Sequence, residues 1–161
     1  MKVGLGLANA SMQNFATELT GSFIYIFSGA IPVDADAALD MVSVHTQLVK
    51  LAADAVPVVN GVTGIAFEAT ATNRAISKLA AQTWAGVNDF TGFEAAQTTL
   101  TGTFWRLCQA GDNGQAAGLT SNRRLQGTLG VAGAELILTS AQITRNGTNV
   151  TAANFAQFRV A

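Results

Sequence analysis

The period of the apolar positions changes once along the chain. Over residues 8–20, Met12, Phe15, Ala16 and Leu19 recur at intervals of three and four, which makes one apolar face and predicts a short helix. Asn9 or Ser11 stands where a cap would start it, and Gly21 where it would stop. From Ser22 the pattern changes. Ser22-Phe-Ile-Tyr-Ile-Phe-Ser28 is aromatic and β-branched, is bounded by Gly21 and Gly29, and predicts a strand. Gly29 to Asp40, with Pro32 and three aspartates, reads as a loop.

The next stretch, residues 41–52, fits a broken strand nearly as well as a helical turn through Val42, Val44, Leu48, Val49 and Leu51; the strand is preferred. Pro57 to Gly64 reads as loop, Ile65 to Thr70 alternates as a strand, and residues 75–85 read as extended, because Ile76, Leu79 and Trp84 do not repeat at a helical period. Asn88 to Gln97 is expected as a loop carrying Phe90 and Phe93. Leu100 to Gln109 has large residues on both faces and is placed centrally. Ala110 to Asn122 is a polar loop. Strands are then expected at Arg124–Val131, at Glu135–Ser140 and from about Asn154 to Val160, with a tight turn at Asn146-Gly147.

Seven or eight short antiparallel strands with turn-rich connections predict a mainly β fold: one β-sandwich, jelly-roll or immunoglobulin-like, with a single short N-terminal helix. No linker divides the chain, so residues 1–161 form one domain, with 1–20 as N-terminal arm and helix and 22–160 as the sandwich.

Composition changes this picture in one respect. Charged residues are only 12% of the chain against 49% hydrophobic ones, whereas a small soluble monomer ordinarily carries more charge. The reading is an assembly subunit with covered surface; the alternative is an Ala-rich soluble protein. Residues 1–68 hold Lys2 and Lys50 against six acidic residues, while residues 69–161 hold seven basic and four acidic ones. Such asymmetry either helps copies dock on each other or on a partner, or is chance. A net charge of −1 argues against coating nucleic acid. No apolar run reaches membrane-spanning length, and Met1-Lys2 opens no secretory signal. Asn146-Gly-Thr and Asn149-Val-Thr match the glycosylation pattern but read more simply as turn residues.

Candidate chemistry is sparse. His45 is the only histidine and Cys108 the only cysteine, too few for a typical zinc site; His45 reads as a structural or surface residue and Cys108 as a small buried thiol. No serine sits in a nucleophile elbow. Asp34-x-Asp36-x-x-x-Asp40 resembles a calcium loop but lacks its central glycine and closing glutamate. Gly127, Gly130 and Gly133 lack the lysine of a phosphate loop and read as turns between strands. Trp84, Phe90, Phe93 and Trp105 are either an aromatic platform for sugar or nucleic acid, or core; core is the simpler reading, above all for Trp105. No enzyme, no cofactor and no metal site is expected.

Several motifs in order resemble a family of small virion structural proteins of tailed bacteriophages and prophages. They are Phe23-Ile-Tyr-Ile-Phe-Ser-Gly-Ala-Ile-Pro32, Ile76 to Trp84, Thr101-Gly-Thr-Phe-Trp-Arg106, and Arg124-Leu-Gln-Gly127 continuing to Gly133-Ala-Glu-Leu-Ile-Leu138. The resemblance spans about residues 8–160, with Glu135 in place of the usual aspartate and an apparent insertion at 86–97. It implies a non-enzymatic β-sandwich protein of the virion. The first expectation is a capsid decoration, or cement, protein that binds and braces the major capsid lattice. A tail, neck or baseplate component is the alternative, and a carbohydrate-binding host-adhesion module using Trp84 or the Phe90–Phe93 loop is a third. The expected partners are the major capsid protein or other virion proteins and further copies of the chain, with no nucleic acid and no membrane. Val3, Leu5, Leu7, Met12 and Phe15 of the N-terminal arm, with Phe90 and Phe93, are the candidate interface residues.

Overall fold

The computed structural model describes residues 4–53, 63–73, 75–86, 88–138 and 140–145, with the backbone of three further strand segments at 150–151, 154–155 and 158–159. The protein is mainly β, sandwich-like, with one N-terminal helix. Helix α1 runs Leu5–Leu19. Strands follow at Phe23–Ser28 (β1), Thr46–Leu51 (β2), Ala75–Ile76 (β3), Ala85–Gly86 (β4), Asn88–Gly92 (β5), Thr99–Thr101 (β6) and Phe104–Cys108 (β7). After the loop that ends at Arg123 come Arg124–Gly130 (β8), Leu136–Ile137 (β9), Gln142–Thr144 (β10), Val150–Thr151 (β11), Asn154–Phe155 (β12) and Phe158–Arg159 (β13).

The central sheet has the order β12-β9-β8-β7-β1-β2-β5. Its middle, β8 through β5, is antiparallel throughout, while β9 joins β8 in parallel. β1 sits between β7 and β2, and all six of its residues are buried. That explains why Phe23 to Phe27 is apolar without alternation: both faces of the sheet are covered. Ile24, Ile26, Val49, Leu51, Trp105 and Leu107 face one side, where Met12, Ala16 and Leu19 of α1 and Ile65, Phe67, Ile76 and Trp84 pack on them. Phe23, Tyr25, Phe27, Phe104 and Cys108 face the other, beneath Leu39 and Met41 of the loop between β1 and β2. The second layer is not one full sheet; the helix, long loops and the two-stranded pairs β6–β10, β4–β11 and β3–β13 supply it.

Several elements depart from the sequence expectation. The helix begins at Leu5 rather than residue 8, with Gly4 at its N-cap and no side-chain cap from Asn9 or Ser11. Ser11 Oγ instead bonds back to Leu7 O at 2.9 Å. Asn88–Gly92 is a strand paired with β2, not a loop, because Thr46, Gln47 and Val49 offer it their free edge. The run Leu100 to Gln109 divides: β6 pairs with β10 while β7 is central, and Gly102 between them lies against Leu129 and Ile26. Residues 41–44 form a turn, and β2 starts at Thr46. In the Ile65–Thr70 stretch only isolated bridges form, Ile65 with Ser22 and Phe67 with Lys78. The turn expected at Asn146-Gly147 lies outside the described residues.

Gly127 was expected to turn the chain, yet it sits inside β8, opposite Trp105. A Cβ there would stand 2.6 Å from Trp105 Cζ2. The indole occupies the space a side chain would take and donates Nε1–H to Thr128 O at 3.0 Å, so the glycine is a packing requirement. Gly133, with φ +69°, does hold a turn conformation that favours glycine.

Candidate interaction surfaces

Helix α1 turns Ala8, Met12, Ala16 and Leu19 onto the core. These positions are spaced by four, four and three, the stripe a docked helix requires. Met12 is therefore corrected from candidate interface to core. Phe90 is corrected likewise: β5 carries it into the core cluster, where it is buried. Leu5, Leu7 and Phe15 are 51%, 67% and 44% exposed. The helix thus spends one face on its own sheet and leaves bulky apolar side chains beside it. Phe15 also borders a groove shared with Glu18, which pairs with Arg123, and with Leu125 at the start of β8. Val3 lies outside the described residues.

Phe93, immediately after the end of β5, is 52% exposed. Its amide donates to His45 O at 3.0 Å, and Val42 and Val44 of the same turn are exposed too. Sequence reasoning did not single out these valines, because Val42 and Val44 look like the first inward residues of a strand that in fact begins at Thr46. Trp84 and Trp105 are both buried. The aromatic platform drawn from Trp84 is therefore corrected: its ring packs edge-on to Phe67 at 5.7 Å between centroids, inside the core.

The titratable groups singled out by sequence are tied to structure. His45 is buried, with Nε2 2.8 Å from Ala30 O and Nδ1 3.3 Å from Asp40 O. It bridges the two ends of the loop that leaves β1 and enters β2. Asp34 Oδ1 accepts the amides of Asp36 and Ala37, and Asp40 Oδ1 those of Val42 and Ser43. These carboxylates fold their own turns. Among the described residues no group of three or more His, Cys, Asp or Glu side chains is placed to hold a metal. Cys108 is buried, and burial, with Asp112 nearby, pushes its thiol up to about 12.

On the outer face a polar network fixes two loops to the sheet. Arg106, in the middle of the apolar run Phe104–Cys108, is fully buried. Its guanidinium donates to Gln126 Oε1 at 2.9 Å, Gly114 O at 2.5 Å and Asp34 O at 3.1 Å. Burial, then the neighbouring Arg124 charge, lowers its pKa from the ordinary arginine value. Arg124 grips Asp112 with two bonds, Nε to Oδ2 at 2.6 Å and Nη2 to Oδ1 at 2.7 Å. Burial works to raise the Asp112 carboxyl, but the bonds from Arg124 and the Gly114 amide outweigh it and hold the group below its ordinary range. Gln126 Nε2 adds a bond to Pro32 O at 2.9 Å. The 29–40 and 109–118 loops are thereby clamped over β7 and β8.

The chain matches no protein-family model, no curated protein and no solved structure.

Proposed function

We propose that this protein is a non-enzymatic structural subunit of a tailed-phage virion, most specifically a capsid decoration protein that docks on the major capsid lattice. The observation that carries the reading is helix α1, which seals one face against the core yet leaves Leu5 and Leu7 at 51% and 67% exposure. Both faces of the central sheet are covered within the chain, so contact with a lattice falls to the rim of the molecule. The helix and the Val42–Val44–Phe93 end offer apolar side chains there. A low charge content, 12% of residues, lowers the desolvation cost of covering such a surface. The motif order described above supports assignment to a virion rather than to another assembly. Loops clamped onto the sheet suit a load-bearing subunit, of which many identical copies each need contribute only modest apolar area.

Particle binding tests the proposal. Leu5 and Leu7 are both exposed in the first turn of the helix, so Leu5→Asp with Leu7→Asp keeps the buried stripe from Ala8 onward and should leave the melting temperature near that of the parent. The variant should fail to bind particles that lack the native copy, while the parent binds them in hundreds of copies. Equal binding by a well-folded variant, or absence of the chain from purified particles, would refute the assignment.

A further inference from the structure

The outer face holds a cavity that the polar clamp leaves open. It lies between β1, β2 and the 109–122 loop and measures about 800 Å³, within the ~300–1,000 Å³ of typical small-molecule sites. Phe23 and Tyr25 line it from the sheet, on the same face at successive outward positions of β1. Tyr25 is only 8% exposed, and its hydroxyl, which bonds no described residue, is not among the fully buried unpaired atoms. It is therefore free to bond water or a ligand in the cavity that Tyr25 lines.

The nearest carboxylate is already saturated. Asp112 Oδ1 accepts from the Gly114 amide and Arg124 Nη2, and Oδ2 from Arg124 Nε and Asn122 Nδ2. Four bonds use its lone pairs. Burial first, then the charges of Cys108 and Asp112, pushes the Tyr25 phenol up to about 12. It is therefore a neutral donor and acceptor throughout the physiological range.

Apart from Lys50 and the Arg124–Asp112 pair, the remaining polar lining has the same neutral, two-way character. Asn113 Oδ1 accepts the Gln115 amide and leaves its N–H donors unspent. Asn122 gives Nδ2 to Asp112 and leaves its oxygen unspent. Gln109 engages only its oxygen, with Arg123 at 3.5 Å. The Arg124 charge is cancelled by Asp112, and Lys50 Nζ stands 3.7 Å over the Phe23 ring. Leu119, largely exposed, adds an apolar wall. A wholly apolar ligand would strand these amides, and a multiply charged anion would meet an arginine already neutralised. Sugar hydroxyls both donate and accept, and sugar C–H faces tolerate an apolar wall.

We propose that this cavity is a saccharide-binding site in which the Tyr25 hydroxyl bonds a sugar oxygen at the floor and the side-chain amides of Gln109, Asn113 and Asn122 bond sugar hydroxyls at the rim. It is distinct from the Trp84 and Phe90–Phe93 surfaces, and it does not depend on the virion assignment.

The test is a titration of the full ¹⁵N-labelled chain with N-acetylglucosamine, galactose and glucuronate, with inorganic phosphate as the anion control. At least one sugar should give saturable shifts of the Gly111 and Asn113 amides at millimolar concentration. Tyr25→Phe keeps the ring and should weaken that binding about five- to tenfold, the worth of one hydrogen bond. Phe93→Ala should leave it unchanged. If Tyr25→Phe does not fold, Asn113→Ala, on an exposed loop, is read in its place with the same expected direction. Shifts from phosphate but from no sugar, no shift from any probe, or sugar binding that survives the variant read would each overturn the proposal.

Discussion

Gly127→Ala tests the packing logic of the central sheet with a single methyl group. The added Cβ would lie 2.6 Å from Trp105 Cζ2, 2.8 Å from Cε2 and 2.9 Å from Nε1. All three are closer than real Cβ contacts, and the neighbour is a ring rather than a flexible chain end. The indole cannot slide away cheaply, since it is 2% exposed and holds Thr128 O at 3.0 Å. Overpacking of this kind costs about 1–3 kcal/mol. Loss of the indole hydrogen bond adds about 1 kcal/mol, and replacing glycine by alanine in a strand returns about 0.5–1 kcal/mol. The net expectation is about 1–3 kcal/mol, or a fall in Tm of roughly 2–12 °C at ~2–4 °C per kcal/mol for a chain of this size. Urea unfolding followed by tryptophan fluorescence measures it. The double variant with Trp105→Phe decides the cause. The smaller ring makes room for the methyl, so the pair should be less destabilised than the sum of the single changes. A Gly127→Ala protein as stable as the parent, or strictly additive double-variant energies, would refute the claim that the indole dictates this glycine.

Two further outcomes follow from the same geometry. Trp105→Ala should cost about 3–5 kcal/mol, the range for deleting a large buried aromatic, and a mutant melting within a degree or two of the parent would contradict its core placement. Asp112→Ala should cost about 3 kcal/mol at neutral pH by stranding the buried Arg124 guanidinium, read as a lower urea midpoint. The folded-state pKa of Asp112 is depressed, so the pair's stabilisation is fully present above the unfolded value near ~4 and fades as pH falls through the folded value. The stability gap between parent and Asp112→Ala should therefore narrow on acidification below pH ~4; a gap that stays constant or widens would contradict the ion-pair account.

Patterning along the chain was sufficient for the elements whose burial is local in origin. β1 was legible as a strand and β7, with large residues on both faces, as a central one, while Met12, Phe15, Ala16 and Leu19 marked an apolar side of α1 without telling which of them dock. The start of α1 was not legible. Leu5 and Leu7 are exposed in the first turn rather than buried, and Gly4 caps without a side chain. β5 was also hidden, because Asn88–Gly92 carries few strand-forming residues and becomes a strand only by completing the edge of β2. Among the candidate interface residues, the sequence listed exposed and buried ones alike; Leu5, Leu7, Phe15 and Phe93 differ from Met12 and Phe90 only in which way the folded backbone turns them. The same holds on the outer face. Arg106 within an apolar run, Gly127 within a strand and Tyr25 without a partner are ordinary letters in the sequence. Their roles depend on carbonyls, a ring and a loop brought from 8 to 72 positions away or from a neighbouring strand. Local periodicity sets which residues avoid water, whereas hydrogen-bond partners and steric neighbours are set by long-range chain crossings, and only the tertiary structure decides those.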